Sequence, residues 1–552
     1  MIKVKALRVH PCDNVEVALQ DILEGETVQV AGDSFPVSNK ISAKHKFAVK
    51  DLAIGEDILM YGVLVGKATR AIPKGALINT DNILHASGDY RLNKRNLDWH
   101  IPDVTAWSQA TFMGFHRADG SVGTANYWLV IPLVFCENNN VLSLQEAFVK
   151  ELGYQTEQSG YRTHVQALKE LFLLGKTPAE ILNYKSIPGN ELPGMQKLFA
   201  NVDGIKFLTH TLGCGGTKQD SADLCGLLAG YITHPNVAGA TVLSLGCQNA
   251  QISLLTKAIE QRDKAFSKPL YILEQQQIGN ESSLLHEAVK KTFVGLIKAN
   301  EFVRKPAPLS KLCVGLECGG SDGFSGISAN LAVGYVSDVL VALGASVILS
   351  EFPELCGVEQ QLSDRCTDEK LAGKFMQLMT DYQTKATING AGFDSNPSAG
   401  NIKDGLITDA IKSAGAAKKG GTSPITDVLD YPEKVTKKGL NLLCTPGSDI
   451  ESTTAEVAAG ANLVLFTTGL GTPTGNPIAP VIKIATNTSL YQKMNDIIDL
   501  DAGTIITGLE TPGQVGDRIL TYIIQIASGE LKAKSSALGH DDFIPWKRDI
   551  SL

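Results

Sequence analysis

Between Lys3 and about Leu84 short apolar runs alternate with turn residues: TVQV, the AGDSFPVSNK turn region, HKFAV, then EDILMYGVLVGKATRAIPKGALI. Enrichment in Val, Ile and Thr with period-two stretches predicts a compact all-β module, because alternate side chains of a strand face opposite sides. The stretch GDYRLNKRNLDWHIPDV that follows is polar, aperiodic and interrupted by proline, and predicts a linker or an ordered crossing segment. From about Thr111 the pattern changes. YWLVIPLVF, GIKFLTH, ATVLSLGC, KLCVGLEC and ASVILSEFPE read as buried strands ending in small or polar residues, with helix-like segments such as SLLTKAIEQRDKAF between them. That alternation predicts parallel strands with helical crossovers, whose chemistry collects in loops beyond the strands' carboxyl ends. From about Asn396 the chain is turn-rich, with ANLVLFTT and GTIITG as its apolar strands.

A chain of 552 residues exceeds one hydrophobic core, so two or three domains are expected. The divisions fall at 1–95 for the β domain, 96–106 for the linker, 107–250 for a second, α/β domain and 251–552 for a C-terminal α/β domain. A formal charge of -8 with dispersed lysines and arginines argues against nucleic-acid binding. The opening MIKVKALRVHPCDNVEV has no signal-peptide pattern and no run reaches the roughly 18 to 20 apolar residues of a membrane helix. A cytoplasmic protein without a membrane partner is the expectation. Ten cysteines without a CxxC resemble neither a disulfide framework nor a zinc knuckle. TTGLGTPTGNPIAP lacks the context of a dinucleotide site and the lysine of a Walker loop, so neither NAD nor ATP is predicted.

The candidate chemistry lies at His210, Cys214, Cys247, Glu317, Cys318, Asp322, Glu351, Glu354 and Cys444, most of them after strand-like runs. Thiolate, imidazole and carboxylate together bind iron, manganese or zinc, the soft ligands favouring Fe(II) or Zn over Mg. Each cysteine is equally readable as a small buried hydrophobe. His210 closes GIKFLTH as a ligand, a general base or a structural histidine. Glu351 can hold a metal or trade a proton. The turns GTKQD, with Thr217, and GGSDGFSG, with Ser321 and Asp322, offer amides, hydroxyls and a carboxylate to a polyhydroxylated or carboxylated ligand. HKFAV sets His45 beside Lys46, a cation able to hold a substrate carboxylate if the first module folds over the larger body. Arg117, between His116 and Asp119, also suits a carboxylate.

Longer motifs sharpen this reading: HPCDNVEVAL and HKFA, then GFHRADGSVGTANY, THTLGCG, LGCQNAQ, ECGGSDGFSGISAN, ILSEFPEL, NPSAGN, AKKGGTSPITDV, TPGSDIESTTAEVAAGANLVLFTTGLGTP and IKIATNT. In that order they resemble the altronate/galactarate dehydratase family over nearly the whole chain. Ala125 in GTANY, Cys136 in FCENNN, Cys444 before TPG and the segment DLDAG depart from the family pattern. The resemblance implies a multi-domain protein, with an N-terminal all-β SAF-like (β-clip) module followed by an α/β dehydratase body in two parts. It implies Fe(II), with Mn(II) as the alternative ion, and conversion of D-altronate to 2-dehydro-3-deoxy-D-gluconate and water in hexuronate catabolism. His210 is then the expected base, with His45 a second catalytic candidate and Glu351 the partner acid or ligand. Cys214, Cys247 and Cys318 are candidate ligands, Lys46 and Arg117 orient the substrate carboxylate, and Thr217, Ser321 and Asp322 join them in substrate binding. A small sugar acid is the expected partner, and a homo-oligomer is compatible with the sequence. Galactarate or a small hydroxy-sulfonate as substrate, and a noncatalytic sugar-acid binding protein, are the alternatives.

Overall fold

The computed structural model describes residues 5–549 apart from 31, 89, 92–94, 96, 156–158 and 185–195. Positions 89, 92–94 and 96 of the expected crossing segment therefore lie outside the described residues. The chain divides into two compact units. One comprises Met1–Met113, Pro306–Pro473 and Val481–Leu531; the other comprises Gly114–Lys305, Thr474–Pro480 and Lys532–Leu552.

The first unit begins with the predicted β module, and all of its strand pairs are antiparallel. One sheet orders Ala6–Leu7, Val15–Ala18, Lys46–Ala48 and Leu77–Ile78. A hairpin pairs Thr27–Val30 with Asp33–Pro36, and a third sheet joins Asp57–Met60, Val63–Ala68 and Ile83–Leu84. Ile22, Val28, Phe35, Val37, Ile41 and Phe47 form one core, so the apolar alternation does its expected work. An acid is buried with them. Glu16 lies in the fully buried strand Val15–Ala18, with Arg8 Nε 3.4 Å away, and burial pushes its carboxyl up to about 7.

The rest of this unit is built on seven parallel strands. Ser346–Leu349, Gly439–Leu443 and Ile425–Leu429 lie in that order on one side of Cys313–Cys318. Leu463–Thr468, Val481–Ala485 and Leu500–Asp501 lie on the other. The chain thus changes direction across the sheet beside Cys313–Cys318. Crevices at such a reversal, outside the carboxyl ends of the strands, are where open α/β sheets take ligands. The segment GTIITG, predicted as a strand, is instead a run of turns: Ile506 N–H bonds the Gly503 carbonyl and Gly508 N–H the Ile505 carbonyl. Asp501 starts that run by accepting from Gly503 N–H, which ends the short strand Leu500–Asp501 where the apolar pattern alone would carry it on.

The second unit holds a four-stranded parallel sheet, ordered Gly204–Phe207, Tyr127–Pro132, Val237–Ser244 and Leu270–Glu274. Leu270–Glu274 and the helix Glu281–Ala299, beyond residue 250, belong to this sheet and its core. Trp128 is fully buried there, and a Cβ on Gly295 would lie 2.0 Å from its ring. The glycine is what lets the helix approach the indole.

Two outcomes follow. Gly295→Ala should cost about 1–3 kcal/mol by overpacking, read as a lowered urea midpoint; an unchanged midpoint would show that the indole has room to shift. Glu16 binds its proton more tightly folded, at about 7, than at its usual 4.5. Its contribution to stability therefore declines as pH rises through that window. Glu16→Gln should gain on the parent in melting temperature from pH 5 to pH 8, and a difference independent of pH would contradict the assignment.

Candidate active site

Residues from three strand ends and one helix meet at the carboxyl edge of the seven-stranded sheet. Glu317 and Cys318 end the central strand, and Ser350 and Glu351 follow Ser346–Leu349. Thr445 follows Gly439–Leu443, and the helix Asp449–Ala459 brings Glu456 back beneath them. Glu351 adopts φ 61°, ψ 56°, a left-handed conformation unfavourable for a residue with a Cβ. Its N–H donates to Thr445 Oγ1 at 2.8 Å, which fixes the turn that carries the carboxylate inward.

The cluster is almost wholly buried, so each acid needs a partner. Lys419 Nζ donates to Glu351 Oε2 at 2.6 Å, and Lys412 Nζ to Glu354 Oε1 at 2.6 Å. Asn396 bridges the second pair, accepting from Lys412 at 2.7 Å and donating to Glu354 at 3.2 Å. Burial raises the Glu354 carboxyl, but the Lys412 and Lys419 ammoniums outweigh it and hold that carboxyl below its ordinary value. Burial dominates elsewhere. It carries Glu351 up to about 7 against the pull of Lys419, and Glu456 up to about 8. Glu317 is pushed well up by burial and by the charges of Glu351 and Glu456. Ser350 Oγ lies 3.0 Å from Glu317 Oε1 and 2.9 Å from Glu456 Oε1. A hydroxyl has one proton to give, so a proton on one of those two acids completes the pair.

Cys318 faces this network. Its thiol donates to Glu354 Oε2 at 3.2 Å, its N–H donates to Glu351 Oε2 at 3.2 Å, and burial with the adjacent carboxylates raises the thiol well above its ordinary value. Ligand atoms of Cys318, Glu351 and Glu354 lie within 4.8 Å of one another. Glu351 Oε1 is buried without a hydrogen-bond partner, which leaves it free to ligate. Three anionic donors beside two ammoniums retain one negative charge, so the residues fit a divalent ion, and the thiol favours Fe(II) or Zn over Mg, while the two carboxylates also suit Mn(II). The small residues of the motifs make room for the acids: a Cβ on Gly315 would lie 2.2 Å from Glu456 Oε2, and one on Gly319 2.1 Å from Asp449 Oδ2.

The loop GGSDGFSG continues from Cys318. Asp322 is fully buried and accepts from Phe324 N–H, Ser325 Oγ, Thr486 Oγ1 and Asn487 Nδ2. Lys44 Nζ ion-pairs with Asp322 at 3.0 Å and with Asp404 at 2.8 Å, while Lys46 Nζ donates to the Gly405 carbonyl at 2.6 Å. Lys44, just before HKFAV, therefore seats this edge of the β module on the GGSDGFSG loop. Lys46 is 1% exposed, and burial lowers its ammonium to about 7, with Asp322 opposing the shift. His45 is half-buried, and its Nδ1 donates to the Ala43 carbonyl at 3.3 Å. Ser321 Oγ is buried with no partner.

The other predicted residues lie in the second unit and are held by their own surroundings. His210 Nε2 donates to the Pro132 carbonyl at 2.8 Å and its Nδ1 accepts from Leu212 N–H at 3.1 Å. Both ring nitrogens are used, and burial lowers the imidazole to about 4. Arg117 Nε donates to the Pro235 carbonyl and Nη2 to Asn126, with the guanidinium over the Phe302 ring. Thr217 caps the helix Lys218–Thr233 by accepting from Asp220 N–H. Cys214 and Cys247 are exposed, in loops joined by the Ala250 N–H bond to the Gly213 carbonyl.

Sequence reasoning missed Lys412 and Lys419. Lys419 stands in the motif AKKGGTSPITDV, and Lys412 in the helix Asp409–Ala416, all of whose residues are buried. A lysine among small residues in a helix with no solvent face was the available signal.

Together the fold and the site define a multi-domain protein with a buried thiol, carboxylate and lysine centre at an α/β sheet reversal, overlaid by a β module. Three family models match it: the altronate/galactarate dehydratase SAF domain over residues 4–86, the D-galactarate dehydratase/altronate hydrolase second domain over 114–300, and the D-galactarate/altronate dehydratase C-terminal domain over 309–551. The chain is 33% identical to altronate dehydratase of Bacillus subtilis (strain 168) and 32% identical to that of Escherichia coli (strain K12), each match covering 95% of both chains. It is 32% identical to galactarate dehydratase (L-threo-forming) of Escherichia coli (strain K12), over 97% of this chain and 94% of the relative. The chain belongs to the altronate/galactarate dehydratase family. No helix among the described residues is long and apolar enough to cross a membrane.

Lys419→Met should strand the Glu351 carboxylate and cost about 3–5 kcal/mol, read from urea unfolding. Adding Glu351→Leu should recover much of that loss, whereas a single variant as stable as the parent would show the pair to be dispensable.

Proposed function

We propose that the chain is a hydro-lyase that converts D-altronate to 2-dehydro-3-deoxy-D-gluconate and water, acting in hexuronate catabolism in the cytoplasm. The single observation that carries the proposal is the buried group of Cys318, Glu351 and Glu354, backed by Lys412 and Lys419 at the sheet reversal. The names of two relatives, both altronate dehydratase, support the substrate. Cys318, Glu351 and Glu354 would hold the ion, Fe(II) or alternatively Mn(II). When bound, it supplies Lewis-acid stabilisation of the charge that develops on the sugar acid as the C2 proton leaves.

The remaining chemistry belongs to side chains. The proton acceptor we assign is His45, because a carbonyl at Nδ1 requires the proton there and leaves the lone pair on Nε2. His210, by contrast, has both ring nitrogens committed to backbone groups. His45 takes the C2 proton, and its imidazolium returns a proton to the C3 hydroxyl as that group leaves as water. The enol so formed tautomerises to the 2-keto acid. Ser321 Oγ, buried without a protein partner, takes a substrate hydroxyl. Lys412 keeps Glu354 ionised, and Lys419 orients Glu351.

Galactarate is the second reading, favoured by the 32% identity to galactarate dehydratase. A diacid needs a cationic contact at its far end, where altronate presents a neutral hydroxymethyl group.

Chelator-stripped protein, reconstituted anaerobically with Fe(II), Mn(II) or no metal, should form 2-keto acid from D-altronate only when metal is present. Turnover of galactarate alone would move the assignment to the second reading, and turnover of neither would end the dehydratase proposal for these substrates. His45→Gln should lower kcat by roughly 10²–10⁴-fold with metal content unchanged. His210→Ala should act mainly on thermal stability, and the reverse pattern would return the base role to His210.

A further inference from the structure

A second constellation with metal-ligand chemistry lies apart from the Cys318 group. His85, just past the last strand of the β module, meets Cys356 and Asp409, and ligand atoms of the three lie within 4.8 Å of one another. Asp409 is buried at the start of the helix Asp409–Ala416, and Cys356 follows the single turn Phe352–Leu355. His85 Nδ1 touches Asp409 Oδ1, yet that buried nitrogen has no partner in hydrogen-bond geometry. Nitrogen and oxygen converge without a well-placed hydrogen between them. The Cys356 thiol lies beside the Asp409 carboxylate, and burial with the neighbouring acids raises it above its ordinary value. Glu359 adds charge to the same spot, interacting with Cys356, His85 and Asp409, and its Oε2 accepts from Gly357 N–H at 2.7 Å.

We propose that His85, Cys356 and Asp409 bind one divalent ion of Zn(II) type, which clips the end of the β module to the helix that carries Lys412. Imidazole, thiolate and carboxylate are the mixed nitrogen, sulfur and oxygen set that suits a tetrahedral ion of borderline softness. Bonds of about 2.0–2.3 Å place tetrahedral donors roughly 3.3–3.8 Å apart, so small side-chain rotations close the set. Binding expels the thiol proton, the imidazole ligates in its neutral form, and Glu359 or a water completes the fourth position. Catalysis is not asked of this ion. Its role is positional: Asp409 and Lys412 share one turn of helix, and Lys412 holds Glu354.

The test reads metal directly and does not depend on turnover. Full-length parent, Cys318→Ser, Cys356→Ser and His85→Gln are loaded anaerobically with Co(II), and bound cobalt and thiolate-to-cobalt absorption are measured, with circular dichroism confirming the fold. Cys318→Ser should keep one equivalent of cobalt and its thiolate band; Cys356→Ser and His85→Gln should each lose one equivalent relative to the parent. Cys356→Ser and His85→Gln with the parent's cobalt content would overturn the clip. Loss of the whole cobalt complement in Cys318→Ser would overturn it as well. If the parent holds one equivalent that Cys318→Ser leaves untouched and Cys356→Ser abolishes, the clip stands and the metal reading of the Cys318 group fails.

Discussion

Two buried lysine–glutamate pairs are the constraint on which the rest of the structure turns. Five acids, Glu317, Glu351, Glu354, Asp449 and Glu456, gather at one edge of a sheet largely removed from water. Isolated buried carboxylates neutralise themselves by taking up protons, and the direction of the shifts at Glu317, Glu351, Glu456 and Asp449 reflects that pressure. Lys412 and Lys419 resist it at the two residues that would hold an ion. Buried pairs of this kind contribute little net stability, because desolvation offsets attraction, but losing one partner is expensive.

The sheet explains why these groups can meet. The order of the parallel strands reverses beside Cys313–Cys318, so loops from strands on both sides open at one place instead of covering one another. The β module completes the surroundings by seating Lys44 on Asp322 and Asp404, with Lys46 buried against the Gly405 carbonyl. A cation from the first eighty residues thereby neutralises an acid more than two hundred residues later. Lys46 itself, read from sequence as a carboxylate holder, is spent on backbone carbonyls. Lys44, two residues before it, makes the ion pairs with Asp322 and Asp404.

Much of the fold was legible because burial writes itself into composition. The strands ending at Cys318, at Leu349 and at Thr468 are apolar on both faces, as parallel strands covered by helices must be. GTIITG misled for the converse reason: an apolar run with glycine at each end is also what a packed series of turns requires. In the site, Cys318, Glu351 and Asp322 were visible as polar residues at strand ends. Lys412 was not, because a lysine in a short helix reads as solvated until its neighbours are known.

The sequence by itself determined the β module, the parallel strands, the family and the residue types available for chemistry, since periodicity and motif order are local properties of the chain. Tertiary structure alone decided which of them share a site. It brought Cys318, Glu351, Glu354, Lys412 and Lys419 together and left His210, Arg117 and Thr217 bonded within their own unit. The physical reason is that partnership between buried charges depends on distance across the fold, and separation along the chain carries no record of it.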